Sequence, residues 1–564
     1  MSSFSTQNPG MTPAGRGRLR LSDKAVARTL SVAVFTMMLA FLIVPVLAIF
    51  WRSVDTGDGL GVANYTQTLT SARVWTLVGN SLLVSSVSAS LSVVLAYAYA
   101  YALQRTNIPF KGLFRIVIMT PLFAPSLVQA QGLIFILGRN GVLNRFMGFD
   151  IDIYGFWGVA LANALYTFPY AFLILSAALA VTDARLYEGA TVIGAKAWRI
   201  FRTVTLPSTR YGIAAAVFVT FSLSVTDFGN AIVIGGDFNV LATEIYNKVI
   251  GQGKFGLGAV IGVMLLAPAI VSKIIERRIS KRQHAQITDG STTLNVRPNR
   301  RRDALFGAYT TLIALIFLAV PLIVIVASFV VLWPYNMSFS LKHYAFDVQN
   351  GTAPLWNSII VALSTATFGV IIVTTAAIVS QKFKTVFTGP ISFLSILPAS
   401  IPGMVLGLGY VLAFNSLSNP LNFLYGTFPL IILLYIYYNH AQGFLITSTS
   451  LKQISKSFDE ASTVLGGSTL RTLFKVTLPL LWPTLLGVGV FFFMRAMVSL
   501  SAVIFLITPK TQVAAVSVLQ LADRGASNQA AAFSVCIMAI VLSMLLIVRT
   551  ILWLAGVKNV SLIR

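Results

Sequence analysis

The chain has 564 residues, of which 56% are hydrophobic and only 10% charged, and its formal net charge is +24. A composition this apolar over this length excludes a soluble domain and indicates a polytopic membrane protein. Lys and Arg sit in short segments between apolar runs, which excludes a basic nucleic-acid-binding domain and makes them topology signals.

Residues 1–28 form a polar arm (Arg16, Arg18, Arg20, Lys24, Arg28) that reads as a cytoplasmic tail. The first apolar run, Thr29–Trp51, has about the 20 residues needed to cross ~30 Å of hydrocarbon and exceeds the core of a secretory signal, so it reads as a permanent helix. Five more spans follow at Val78–Leu103, Leu113–Leu137, Gly155–Val181, Tyr211–Ile234 and Phe255–Ile275. Residues 276–303, rich in Arg and turn formers, read as a cytoplasmic linker between a first half at 29–275 and a second at 304–556. The second half repeats the count with Ala304–Leu332, Asn357–Ser380, Phe387–Phe414, Phe428–Ile446, Leu481–Ile507 and Ala530–Leu554, before a short tail at 557–564. The expected fold is therefore all-α, with twelve membrane helices in two six-helix halves and both termini on one side. Arg105/Lys111/Arg115, Lys382/Lys384, the linker and Lys558/Arg564 share a face with the arm, whereas loops such as Asn140–Tyr154 and Asn415–Tyr425 carry almost no net positive charge. The positive-inside bias makes the basic face cytoplasmic.

The halves repeat each other in detail. EGATVIGAKAWRIFRTVTLP at 188–207 and EASTVLGGSTLRTLFKVTLP at 460–479 are basic islands 272 positions apart, both on the cytoplasmic face. Each pairs a short helix with a glycine turn (Gly194, Gly466), a second basic helix and a Leu-Pro that re-enters the membrane (Leu206-Pro207, Leu478-Pro479). Pro121/Pro125 in the third span have counterparts in Pro398/Pro402 of the ninth, Asn80-Ser81 in Asn357-Ser358, and Tyr166 in Tyr438. Same orientation and same span number define a parallel repeat, with a pathway between the halves.

The islands resemble the cytoplasmic EAA loop of permeases in binding-protein-dependent ATP-binding-cassette importers: Glu188, Gly189, Ala190 and Gly194 match in the first copy and Glu460, Ala461 and Gly466 in the second. Gly189 and Ser462 depart mildly from the usual alanines. The resemblance implies that each loop docks on an ATPase subunit, that two such subunits and a periplasmic binding protein serve the chain in a bacterial inner membrane, and that ATP and Mg are bound by those partners rather than by this chain. The segments Thr226–Val260, Ile401–Asn415, Asn419–Thr427 and Ser501–Leu521 look like fused permeases assigned to 2-aminoethylphosphonate uptake, an architecture shared with ferric iron permeases. They imply the first cargo, with ferric iron as the alternative.

Absences narrow the mechanism. No phosphate-cradling G-x-x-x-x-G-K-[ST] loop is present, so the chain is expected to be a transport subunit with no catalytic residues. It lacks the chain of intramembrane carboxylates that an ion-coupled secondary transporter, the rival class, usually needs. The three histidines (His284, His343, His440) are too scattered for a metal site, and the single cysteine, Cys536, lies in an apolar run. Asp227 and Arg495 are charges within the corresponding fifth and eleventh spans. Such charges cost ~2.5 kcal/mol or more to insert and usually face a bundle interior or a watery cavity. They are candidates to meet the ammonium and phosphonate of a cargo; the alternatives are that they pair with each other, or that Asp227 caps a broken helix. Asn80, Asn357, Tyr166 and Tyr438 complete the candidate path, against roles in helix-to-helix hydrogen bonding or packing.

Overall fold

The computed structural model describes residues 21–57, 59–284, 296, 298–346, 351–383 and 385–556. Arg16, Arg18 and Arg20 of the arm, residues 285–295 and 297 of linker 276–303, Lys384 and the tail 557–564 lie outside the described residues. Ten of the twelve expected spans are single helices long and apolar enough to cross a membrane, and they keep their numbers in that series. Spans 1, 2, 4, 5 and 6 are Lys24–Val54, Ala72–Arg105, Phe156–Ala180, Ala197–Val225 and Phe255–His284. Spans 7, 8, 10, 11 and 12 are Arg300–Ser328, Ala353–Lys382, Phe428–Gln453, Thr469–Val498 and Ser527–Leu554. The strands Val330–Leu332 and Asn336–Phe339 add one small antiparallel hairpin.

Spans 3 and 9 are broken at their paired prolines. The third divides into Lys111–Ile118, a tight turn Thr120–Phe123 and Leu127–Leu137; the ninth divides into Thr388–Ile396, Leu397–Ser400 and Gly403–Phe414, with a bend of 114°. Each proline removes an amide donor and crowds the carbonyl four residues back, so two within five positions end the helix. The exposed backbone is tolerable because the breaks face protein: Pro121, Phe123 and Ala124 are buried, as are Pro398 and Ile401.

Three other prolines are absorbed differently. Pro45, Pro207 and Pro479 each follow a one-turn π-helix, at Leu39–Ile43, Phe201–Thr205 and Leu473–Thr477. The wider turn accommodates the proline ring and the helix runs on, as it also does through Pro169, Pro268, Pro321 and Pro483 without such a turn. Spans 5 and 11 therefore do not begin at Leu-Pro. They start inside the islands, at Ala197 and Thr469, so the basic segment and the membrane span are one rod.

Three boundaries differ from the hydropathy reading for local reasons. Span 6 runs on to His284, into the expected linker, because helix-forming charged residues, including the Lys273–Glu276 pair at 2.6 Å, extend it beyond its apolar run. Spans 5 and 11 stop at Val225 and Val498, short of Ile234 and Ile507, because Asp227 and Ser499 open turns there.

Buried Ser81, Ser85, Ser88 and Ser92 form a small-residue stripe on span 2 that lets spans 4 and 5 approach closely. The first helix of each half instead packs across the divide. Span 1 lies on Gly403–Phe414 of the second half, where the Tyr410 hydroxyl donates to the Phe41 carbonyl (2.6 Å) within the π-turn, and span 7 lies on Leu127–Leu137 of the first. Gly132 and Gly409 sit at the two crossings, against Val320 and Pro45.

Candidate functional site

The two helix breaks and the ends of spans 5 and 11 enclose a cavity of about 50 Å³ between the halves. From the first half it is lined by the Pro121–Ser126 turn, Tyr166, Tyr170, Thr226 and Asp227; from the second by Tyr438, Arg495 and the turn Val498–Ser501. Four of the six path candidates, Tyr166, Tyr438, Asp227 and Arg495, thus converge on one space. The walls repeat: the Pro121–Ser126 turn packs on Gly229 through Ser126 as Gly403 packs on Ser501.

Asp227 is fixed by donors. Its carboxylate accepts from the Asn230 amide at 2.9 Å, and from the Ala231 amide and the Ser126 hydroxyl, so it caps the short helix Gly229–Ile234. Behind it Asn230 donates to Asn163 (2.9 Å) and Asn163 to Ser224 (3.0 Å), a buried network that holds the turn. Arg495 has a different environment. Its Nε donates to Asn439 Oδ1 at 3.2 Å and its guanidinium is within hydrogen-bonding reach of Tyr166, with Tyr170 and Tyr438 close by. Among the described residues no ion pair joins Arg495 to Asp227 or to any other carboxylate. A guanidinium held by neutral groups beside a cavity retains its attraction for an anion, because the charge is not cancelled in place.

Asn80 and Asn357 lie elsewhere. Asn80 Nδ2 donates to the Asn239 carbonyl (3.0 Å) while Ser81 accepts from the Leu241 amide (2.8 Å). In the second half Asn357 donates to the Gln512 carbonyl (2.9 Å) and Ser358 accepts from the Ala514 amide (2.7 Å). These two Asn-Ser pairs clamp the starts of the short helices Leu241–Tyr246 and Ala514–Asp523, and neither lines the cavity.

Each island is a short helix, Ala184–Val192 or Lys456–Val464, followed by a glycine turn and the start of span 5 or 11. Gly194 and Gly466 adopt φ of +74° and +76°, a left-handed conformation that side chains disfavour. Glu188, Gly189, Gly194, Leu206, Pro207, Glu460, Ala461, Gly466 and Pro479 are exposed, and Ala190 and Leu478 are half-buried. Just before the turns stand Val192-Ile193 and Val464-Leu465, all at least 83% exposed. Each island thus carries a matched pair of exposed aliphatic side chains beside its glycine turn. Their signal in the sequence is two large aliphatics directly before glycine in both copies, which hydropathy alone does not separate from a membrane-facing pair. Among the described residues no cluster of His, Cys, Asp or Glu forms a metal site.

Comparison with known proteins follows the same division. The family model described as "Binding-protein-dependent transport system inner membrane component" matches residues 91–284 and 375–555. A putative ferric transport system permease protein of Haemophilus influenzae is 32% identical over 87% of this chain and 79% of its own length. The ferric transport system permease protein of Actinobacillus pleuropneumoniae is 29% identical over 96% of this chain and 80% of its own. A molybdenum transport system permease protein of Escherichia coli is 34% identical over 25% of this chain and 62% of its own. The crystal structure of a bacterial ABC transporter that imports alginate aligns at 16% identity with a TM-score of 0.40, over 48% of this chain and 98% of that one.

Proposed function

The chain belongs to the family of binding-protein-dependent transport system inner membrane components, and we propose on that premise that it carries a negatively charged solute inward through the cavity between its halves. It is a multi-pass permease subunit of an ABC importer, and not itself an enzyme. The observation that carries the reading is Arg495, a guanidinium beside the cavity whose partners among the described residues are neutral.

Two ATPase subunits dock on the two islands, which face the cytoplasm together with both ends of the chain; they bind the ATP and Mg. A periplasmic binding protein delivers the cargo to the opposite face. ATP binding draws the islands together, and because each island is one rod with span 5 or 11, the motion reaches the turns at Asp227 and Ser499 that wall the cavity. Hydrolysis resets the path.

Ferric iron stands first as cargo, because relatives matched over most of this chain are named for ferric transport. Arg495 repels a bare cation, so iron enters enclosed by oxyanion ligands, and the phenols of Tyr166, Tyr170 and Tyr438 offer further hard oxygen contacts. The zwitterion 2-aminoethylphosphonate stands second: its phosphonate suits Arg495, but the Asp227 carboxylate expected to meet its ammonium is already occupied by three donors. Uptake of radiolabelled ferric citrate and of radiolabelled 2-aminoethylphosphonate, measured with and without the ATPase subunits, tests both levels. Iron uptake that needs the ATPase is the expected result. Uptake driven by an ion gradient without it contradicts the importer mechanism, and ATPase-dependent uptake of the phosphonate alone contradicts the cargo.

A further inference from the structure

Each island is tied to the end of the neighbouring span by a cation, and the two ties differ in kind. Arg105 is the last residue of span 2 and Lys382 the last of span 8, 277 positions apart, the same offset as Asn80 and Asn357. Their partners are also matched: Tyr187 and Asp459, 272 positions apart, directly precede Glu188 and Glu460.

In the first half Arg105 is only 6% exposed, donates to the Leu179 carbonyl at the end of span 4 (2.6 Å), and lies 4.9 Å from the centre of the Tyr187 ring. The Tyr187 hydroxyl donates to Thr205 (3.1 Å), in the π-turn of the span 5 rod. In the second half Lys382 Nζ contacts both Asp459 carboxylate oxygens at 2.6 and 2.8 Å, with side-chain exposures of 19% and 41%. A stacked guanidinium anchored on a buried carbonyl is shielded from ions and has no alternative partner in water. A half-exposed ion pair exchanges readily with water and salt.

We infer that Arg105 and Lys382 are matched positioning residues that transmit island movement to spans 2 and 8, and that they hold unequally: the first island through a buried, stacked guanidinium and the second through a more weakly held, solvent-accessible ion pair. The inference rests on the reading that the islands receive the ATPase. It extends that reading by making the two islands mechanically different despite their similar sequences.

The test uses the full chain with its ATPase and binding protein, measuring labelled iron uptake and ATP hydrolysis together. Lys382→Met and Asp459→Asn are each expected to lower uptake per ATP hydrolysed by about two- to fivefold, the range of a half-exposed ion pair, with half-saturation for cargo unchanged. The exchange Lys382→Asp with Asp459→Lys is expected to restore coupling to within about twofold. Arg105→Met is expected to uncouple more severely, and Arg105→Lys not to rescue it, because lysine lacks the planar stacking face. Single variants as well coupled as the natural chain, or an exchanged pair no better than the singles, overturn the inference. Both results are distinct from failure of the importer reading, which shows as wild-type uptake indifferent to the ATPase.

Discussion

Gly407 lies mid-helix in Gly403–Phe414, where alanine is normally favoured by about 0.5 to 1 kcal/mol. In this structure a methyl group there meets the Ala502 carbonyl oxygen at 2.1 Å and its carbon at 3.0 Å. Both are backbone atoms of the turn that follows Arg495, so no side chain can swing aside, and the helix and turn must part by more than an ångström to reach ordinary contact. Overpacking of this kind costs about 1 to 3 kcal/mol, and set against the propensity gain it leaves Gly407→Ala roughly 0 to 2.5 kcal/mol less stable, with the upper part expected because the obstructing atoms are backbone. Gly487, mid-helix in span 11 with nothing within 4 Å of an added methyl, is the control. Thermal unfolding of the intact protein in detergent is expected to show Gly407→Ala melting below the natural chain, with reduced uptake, and Gly487→Ala melting at or above it. If Gly407→Ala is as stable as Gly487→Ala, the close seat of the broken ninth span against the Arg495 turn is wrong.

The other predictions address the clamps and the islands. Ser358→Ala leaves the buried Ala514 amide unpaired, at a cost of about 1 to 3 kcal/mol, and hydrogen exchange over 514–523 is expected to accelerate; Ser81→Ala does the same over 241–246. Unchanged protection in both would mean that these serines hold nothing. Ile193→Asp, on a side chain 83% exposed, is expected to leave melting unchanged while retention of the ATPase on purification falls by tenfold or more, the range of an interface anchor. Full retention would place the docking surface elsewhere.

Much of this architecture is legible in the chain because bilayers impose a length and duplication imposes a register. The apolar runs locate the ten single-helix spans and the bent ninth, while the third is too broken to qualify as a span by length and hydropathy; the matched glycines of the islands locate their turns, whereas the matched Leu-Pro lies inside the rods. Charge cost and repeat symmetry single out Asp227, Arg495, Tyr166 and Tyr438 as candidates, since an expensive residue in a span needs an interior to face, but that the four line one cavity is seen only in the structure. Hydropathy cannot say which helix packs on which, so the exchange of spans 1 and 7 between halves is not readable; the small residues that permit it, Gly132 and Gly409, become meaningful only beside Val320 and Pro45. Asn80 and Asn357 show the limit of polarity as a guide, because an amide that lines a path and one that holds a backbone carbonyl look alike in sequence. The prolines divide by context: two within five residues break a span, whereas single ones are carried through it, with a π-turn before Pro45, Pro207 and Pro479.

The most direct test of the account is uptake by Arg495→Gln, which keeps much of the shape and a hydrogen-bond donor near Asn439 while removing the charge. With assembly and ATPase retention confirmed as unchanged, loss of one charge-assisted contact worth about 1.5 to 3 kcal/mol predicts a fall in ATP-driven uptake of the anionic cargo of about 10- to 150-fold. Uptake equal to that of the natural chain would contradict a path through this cavity governed by Arg495.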